Sequence, residues 1–155
     1  MDKSYLIQTA GLLKNVHENT YNEYYQKADL LASKMNEAMI ARSDIFDLVG
    51  ENNIDMMKDN HSNHVRFIAS ILKHMNADVL VDTVLWVFRA YRSHGFTTNY
   101  WAAQINTWIK IFKSELSPEC YEEVLPYYEW MQVNIPIFSK ISGEELDATR
   151  SMHKQ

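Results

Sequence analysis

The sequence predicts an all-α fold of about six to eight helices in a single domain, and three observations carry that prediction. Apolar residues recur three and four positions apart along nearly the whole chain. No convincing stretch alternates apolar and polar with period two, as a half-buried strand would. Four glycines and three prolines in 155 residues favour long regular elements joined by short loops. At 46 % apolar and 12 % aromatic, a chain of this length can bury roughly two-thirds of its unfolded surface without disulfides or metals. One domain over residues 1–155 is expected, with 142–155 as a short terminal helix or tail that frays after 149.

The first apolar line is Tyr24, Ala28, Leu31, Met35 and Met39. The segment from Ser43 to Asn63 reads differently. Ile45, Phe46, Leu48 and Val49 form an apolar knot, Gly50-Glu-Asn-Asn-Ile54 breaks it, and Asp55 to Asn63 is polar around Met56 and Met57. A short helix, a loop and a loosely held segment bordering a pocket are expected there. Helical spacing resumes with His64, Ile68, Ile71 and Met75, widened by Val65 and Leu72. The line Leu80, Val84, Val87, Tyr91 follows. Asn76 or Asp78 can open that helix, and Gly95 can close it, because glycine tolerates the left-handed backbone that ends helices. Thr97 or Thr98 can cap the line Trp101, Ile105, Trp108, Phe112.

Ser117-Pro118-Glu119 is a strong helix start: serine as cap, proline in the first turn, an acid near the positive end of the dipole. The last line, Tyr121, Val124, Tyr128, Met131, Ile135 and Phe138, contains Pro126 and Pro136. Each proline removes a backbone donor and is expected to kink or divide the helix. Ser142-Gly-Glu-Glu145 has capping-box spacing and suggests a new helix.

Charge and cysteine content narrow the partners. A net charge of −5 repels phosphate backbones and disfavours general nucleic-acid binding. No apolar run approaches the ~18 residues of a membrane span. The opening Met1-Asp-Lys-Ser-Tyr-Leu-Ile lacks the uninterrupted apolar core of a signal peptide. Cys120 is the only cysteine, which excludes an intrachain disulfide and suits a reducing cytoplasm.

No catalytic side-chain constellation emerges, so enzymatic activity is not expected. There is no Gly-x-Ser-x-Gly, no phosphate-cradling glycine loop and no Glu-x-x-His pair for a di-iron bundle. Cys120 stands in the first turn of a helix, where the dipole lowers a thiol pKa, but no base is paired with it. His61 and His64 share a helix face at a spacing that suits zinc or copper, with His17 or His74 as conceivable third ligands; solvated histidines near a helix start explain them more simply. His94 closes the line Val84, Val87, Tyr91 at a helix end, where it is either an ordinary terminal histidine or a ligand to a flat apolar cofactor. Many tyrosines and tryptophans in one small domain suggest a pocket with polar tips pointing inward, or an interface.

In the order and spacing of these elements, over about residues 18–138, the chain resembles the globin superfamily, most nearly bacterial globin-like sensor domains. Thr20-Tyr-Asn-Glu-Tyr-Tyr25 with Leu30-Leu31 resembles helix B, and Ala41 to Phe46 the segment carrying the phenylalanine that globins stack on haem. His61–Met75, Ala77–His94, Thr98–Leu116 and Leu116–Met131 resemble helices E, F, G and H. The resemblance implies a ligand pocket lined by Tyr25, Phe46, His61, His64, Ile68, Val87, Tyr91, His94, Tyr100 and Trp101. Haem, if bound, would take His94 as its axial ligand. His94, however, lies only six residues before Tyr100, shorter than haem globins have. The expected protein is therefore a sensor or binding domain for a small apolar molecule, without haem, signalling through helix packing. The alternatives are a haem globin using His94, and a homodimerisation module pairing through the last two helices at Tyr121, Tyr128, Met131 and Ile135.

Overall fold

The computed structural model describes residues 1–154, with side chains to Asp147; Gln155 lies outside the described residues. Eight α-helices make up the described residues: α1 (Lys3–Ala10), α2 (Glu18–Gln26), α3 (Ala28–Ile40), α4 (Ile45–Val49), α5 (Ile54–Lys73), α6 (Ala77–Arg92), α7 (Thr98–Glu115) and α8 (Pro118–Lys154). No strand occurs among them, and the all-α expectation holds. None of the helices is long and apolar enough to cross a membrane.

Capping residues set several boundaries. The Asn76 side chain accepts a hydrogen bond from the Val79 amide at 3.1 Å and opens α6. Thr97 accepts from the Tyr100 amide at 3.3 Å and opens α7. Ser117 accepts from the Cys120 amide and is itself held by Glu23 of α2, whose carboxylate takes the Ser117 amide at 2.7 Å and its hydroxyl at 2.6 Å. That clamp, with the Lys27 ammonium, holds the Glu23 carboxyl below its ordinary range even though burial pushes it upward. Gly95, in the turn that follows α6, adopts φ +101°, a conformation that L side chains rarely enter.

Each apolar line faces the common core. α7 packs on α8, α3 on α5 and α7, α6 on α8, and α2 on α5 and α8. Trp108, Tyr24, Tyr100, Tyr128, Phe112 and Phe138 are among the largest fully buried side chains. α1, which has no apolar line long enough to show in the sequence, turns Leu6 and Ala10 inward against α6. Its Thr9 hydroxyl accepts from the Trp130 indole of α8 at 3.0 Å.

Three sequence expectations are corrected here. Asp55 to Asn63 is not loosely held: it forms the first half of α5, with Met57, Asn60 and His61 buried. Met57, Asn60, His61 and His64 extend the line of Ile68 backward at helical spacing, and the polar members hid it. α8 is not divided at Pro126 or Pro136. Both prolines lie on the exposed face, as do Glu122 and Gln132 four residues earlier, so the carbonyls deprived of a donor can turn to water. No new helix starts at Ser142: its side chain is buried within α8 and its hydroxyl donates to the Ser139 carbonyl at 3.3 Å.

Candidate functional site

α5, α6, α7 and α8 enclose a cavity of about 270 Å³. α5 contributes Asn60, Asn63, His64, Phe67 and Ile68; α6 contributes Thr83, Val84, Trp86, Val87, Phe88 and Tyr91. Trp101, Gln104 and Ile105 of α7 close one side, and Met131, Ile135 and Phe138 of α8 the other. Phe88 stacks on Trp101 at 4.5 Å between ring centres and meets Phe138 edge-on at 5.3 Å, which makes the deep wall rigid and apolar. Trp86, 57 % exposed, marks where the cavity reaches the surface.

One end of the cavity is polar. Gln104 Nε2 donates to Asn60 Oδ1 at 2.5 Å and to the Tyr100 hydroxyl at 2.9 Å. The Tyr100 hydroxyl lies 2.9 Å from Asn60 Oδ1 and 3.2 Å from His61 Nε2. His61 Nδ1 continues the chain to Asn36 Oδ1 of α3 at 2.6 Å. This network is buried and joins three helices, so each member holds its neighbours in place. The Tyr91 hydroxyl belongs to the same end: burial raises its pKa, while the amides of Asn60 and Asn63 draw it back.

A second chain reaches the cavity through His64. Its Nε2 lies 2.7 Å from the Tyr128 hydroxyl, which lies 2.8 Å from that of Tyr24. Its ring stacks on Trp108 at 5.2 Å. Burial lowers His61 and His64 to about 3, so both rings are neutral. Among the described residues, no lining side chain is ionised.

Of the residues expected at a pocket, His64, Ile68, Val87, Tyr91 and Trp101 line the cavity together. His61 and Tyr100 stand behind the wall, in the network that orients Asn60 and Gln104. Tyr25 is 62 % exposed on α2, and Phe46 is 54 % exposed on α4. Neither faces the cavity, since the apolar knot of α4 buries Ile45, Leu48 and Val49 instead. His94 is exposed on the turn between α6 and α7. There its backbone carbonyl, not its ring, is engaged, by Asn53 Nδ2 at 2.8 Å.

Haem iron held by His94 does not fit this arrangement. His94 is outside the cavity, α6 presents Tyr91 to it, and the Nε2 of His64 is turned to Tyr128. No lining cation is present to meet the carboxylates of haem. The preferred reading of His61 and His64 as solvated histidines is overturned, since both are internal; nor does the alternative metal trio assemble, because His74 is exposed and His17 is exposed beside Glu123 at 2.7 Å. Cys120 is buried, and burial pushes its thiol up to about 12, the reverse of a dipole-activated nucleophile. The expected dimer seam also turns inward. Tyr128 is fully buried, Met131 and Ile135 line the cavity, and Tyr121 is half-buried against the core.

Residues that the sequence reading passed over complete the cavity. Asn60 and Gln104 stand at core positions of helical lines, three residues after Met57 and three after Trp101. A polar residue at a core register is the signal that marks them. No family model, curated protein or solved structure matches this chain.

Proposed function

We propose that the chain is a globin-like sensor or binding domain, that it takes a small, uncharged, largely apolar molecule into the cavity, and that it transmits occupancy as a shift in helix packing. The observation that carries this reading is the lining: rigid apolar walls, a hydrogen-bonding end and no ionised group. Such a surface rewards shape and a single polar contact, and penalises charge. The cavity lies among the helices likened to E, F, G and H, which supports the globin-like reading. Its lining offers contacts rather than a nucleophile with a base, which favours binding over catalysis. A reducing cytoplasm, where the buried Cys120 thiol stays free, is the compartment we assign.

Contacts between α6 and α8 support the signalling part of this reading. α6 and α8 supply opposing walls and pack on each other. Beyond the cavity they are joined by the Arg89–Glu145 ion pair and by Arg92 Nη1 donating to the Ser139 carbonyl at 2.9 Å. A ligand that separates the walls moves the distal part of α8.

Methyl-resolved NMR of the full chain, titrated with benzene as an uncharged apolar probe, tests both halves of the reading. Saturable shifts at Val84, Val87, Ile105 and Ile135, accompanied by Ile141 farther along α8, are expected. No saturable shift at the cavity methyls sinks the binding reading. Shifts that stop short of Ile141 leave binding standing and sink the signalling.

A further inference from the structure

The polar end of the cavity specifies the head group of its ligand. Gln104 is 1 % exposed and Asn60 is 4 % exposed, and both line the cavity. Both hydrogens of Gln104 Nε2 are used, on Asn60 Oδ1 and the Tyr100 hydroxyl. Its Oε1 has no partner among the described residues, yet it is not a sealed orphan; the sealed one among them is Trp108 Nε1. Gln104 therefore keeps an unused acceptor at the cavity wall. Asn60 is its complement: its Oδ1 is saturated by Gln104 and Tyr100, while its amide nitrogen carries two hydrogens, of which the Tyr91 hydroxyl takes one and the second is left to give. An unused acceptor and a donor thus stand side by side on two helices, held by the network behind them.

Resting on the reading of this cavity as a ligand site, we propose that the ligand is an uncharged molecule whose one polar group both donates and accepts a hydrogen bond. A hydroxyl or a carboxamide has that chemistry, donating to Gln104 Oε1 and accepting from Asn60 Nδ2. The apolar remainder lies against Trp101, Phe88 and Ile105. A volume of about 270 Å³ is nearly twice the ~150 Å³ of a cavity that takes benzene, so the ligand has on the order of ten non-hydrogen atoms. A carboxylate finds no cation here and an ammonium no anion. A ketone meets the second Asn60 N–H but leaves Gln104 Oε1 unpaired, and a hydrocarbon meets neither.

Calorimetric titration of the full chain with matched probes decides this. On a phenylpropyl and an octyl scaffold, the terminal alcohol, primary amide, methyl ketone, carboxylate and bare hydrocarbon are compared. Alcohol and amide are expected to bind at least tenfold tighter than the hydrocarbon and the ketone, with the carboxylate weakest. Gln104→Met is expected to erase the difference in affinity between the alcohol or amide and the hydrocarbon; the wild-type series decides even if that variant does not fold. Equal affinity for alcohol and hydrocarbon overturns the head-group assignment and leaves the cavity reading standing. A ketone as tight as the alcohol removes the role of Gln104 as acceptor, and tightest binding of the carboxylate overturns the requirement for an uncharged ligand. Binding of none of the probes overturns the cavity reading itself.

Discussion

Residues 54–64 and residues 91–101 exchange the roles their sequences suggest. The first stretch reads as polar and loose, the second as the edge of a ligand site built around His94. In the fold the first is a helix that turns Asn60, Asn63 and His64 toward the cavity. The second is a turn whose histidine faces solvent and whose contributions are the rings of Tyr91, Tyr100 and Trp101. The difference lies in partners. Asn60 and His61 can be buried because Gln104, Tyr100 and Asn36 of other helices meet their polar atoms. Among the described residues none meets the ring of His94, which is exposed.

Acid gives the largest expected effect and bears on the first stretch. His61 and His64 titrate near 3 in the fold, against ~6.5 in the unfolded chain. Their folded pKa values are depressed, so the unfolded state binds more protons between those limits. The stability they protect is complete above about pH 6.5 and is lost as pH falls toward 3. Linkage gives about 2 kcal/mol per histidine by pH 5, or about 4 for the pair. Urea unfolding at pH 7.5 and pH 5 measures it, and His64→Gln should roughly halve the acid-dependent loss. Equal stability at the two pH values would mean that these rings are not buried neutral.

Tyr100→Phe tests whether the two stretches are one structural unit. Tyr100 lies in the second stretch, yet its hydroxyl serves Asn60 and His61 of the first as well as Gln104. Removing it leaves buried polar groups short of a partner and should cost about 1–3 kcal/mol. Tyr25→Phe, at an exposed site, should stay within about 0.5 kcal/mol. Equal effects of the two substitutions in urea titrations would separate the stretches.

How far the fold and site are legible follows from the same contrast. Apolar lines such as Trp101, Ile105, Trp108 and Phe112 announce their helix because burial of one face is a local, periodic property. The caps at Asn76, Thr97 and Ser117 are legible for a similar reason, since each acts within one turn. The start of α5 is not, because its core positions carry Asn60 and His61, and only tertiary partners make those residues core. The same holds for Gln104, which looks like an interruption of a line. Tyr25 and Phe46 mislead in the opposite way: aromatic character alone does not say which face a helix buries. Tyr128, Met131 and Ile135 form a seam at heptad spacing, but a seam does not say whether it meets another copy or the chain's own helices.

Gly95→Ala sharpens the account of the second stretch as a turn. At φ +101°, an alanine is strained even though nothing lies within 4 Å of its Cβ. A loss of about 1 kcal/mol is expected from backbone conformation alone. Probe affinities should be unchanged, because residues 93–97 do not line the cavity. A drop in affinity without a drop in stability would place the turn in the binding machinery.

His94→Ala should do the least, and it separates the two stretches most cleanly. What His94 contributes to the fold is its carbonyl, which accepts from Asn53 Nδ2 at 2.8 Å, and alanine keeps that carbonyl. Its amide donates to the Tyr91 carbonyl at 3.0 Å, and alanine keeps that as well. The imidazole is exposed, so its removal should change stability by less than about 0.5 kcal/mol and leave alcohol and hydrocarbon affinities where they were. His64→Ala, on the other stretch, removes a ring that lines the cavity, stacks on Trp108 and engages Tyr128, so both stability and binding should fall. If His94→Ala instead abolished binding and His64→Ala did not, the site would lie at the α6–α7 turn, and the cavity would be only a packing defect.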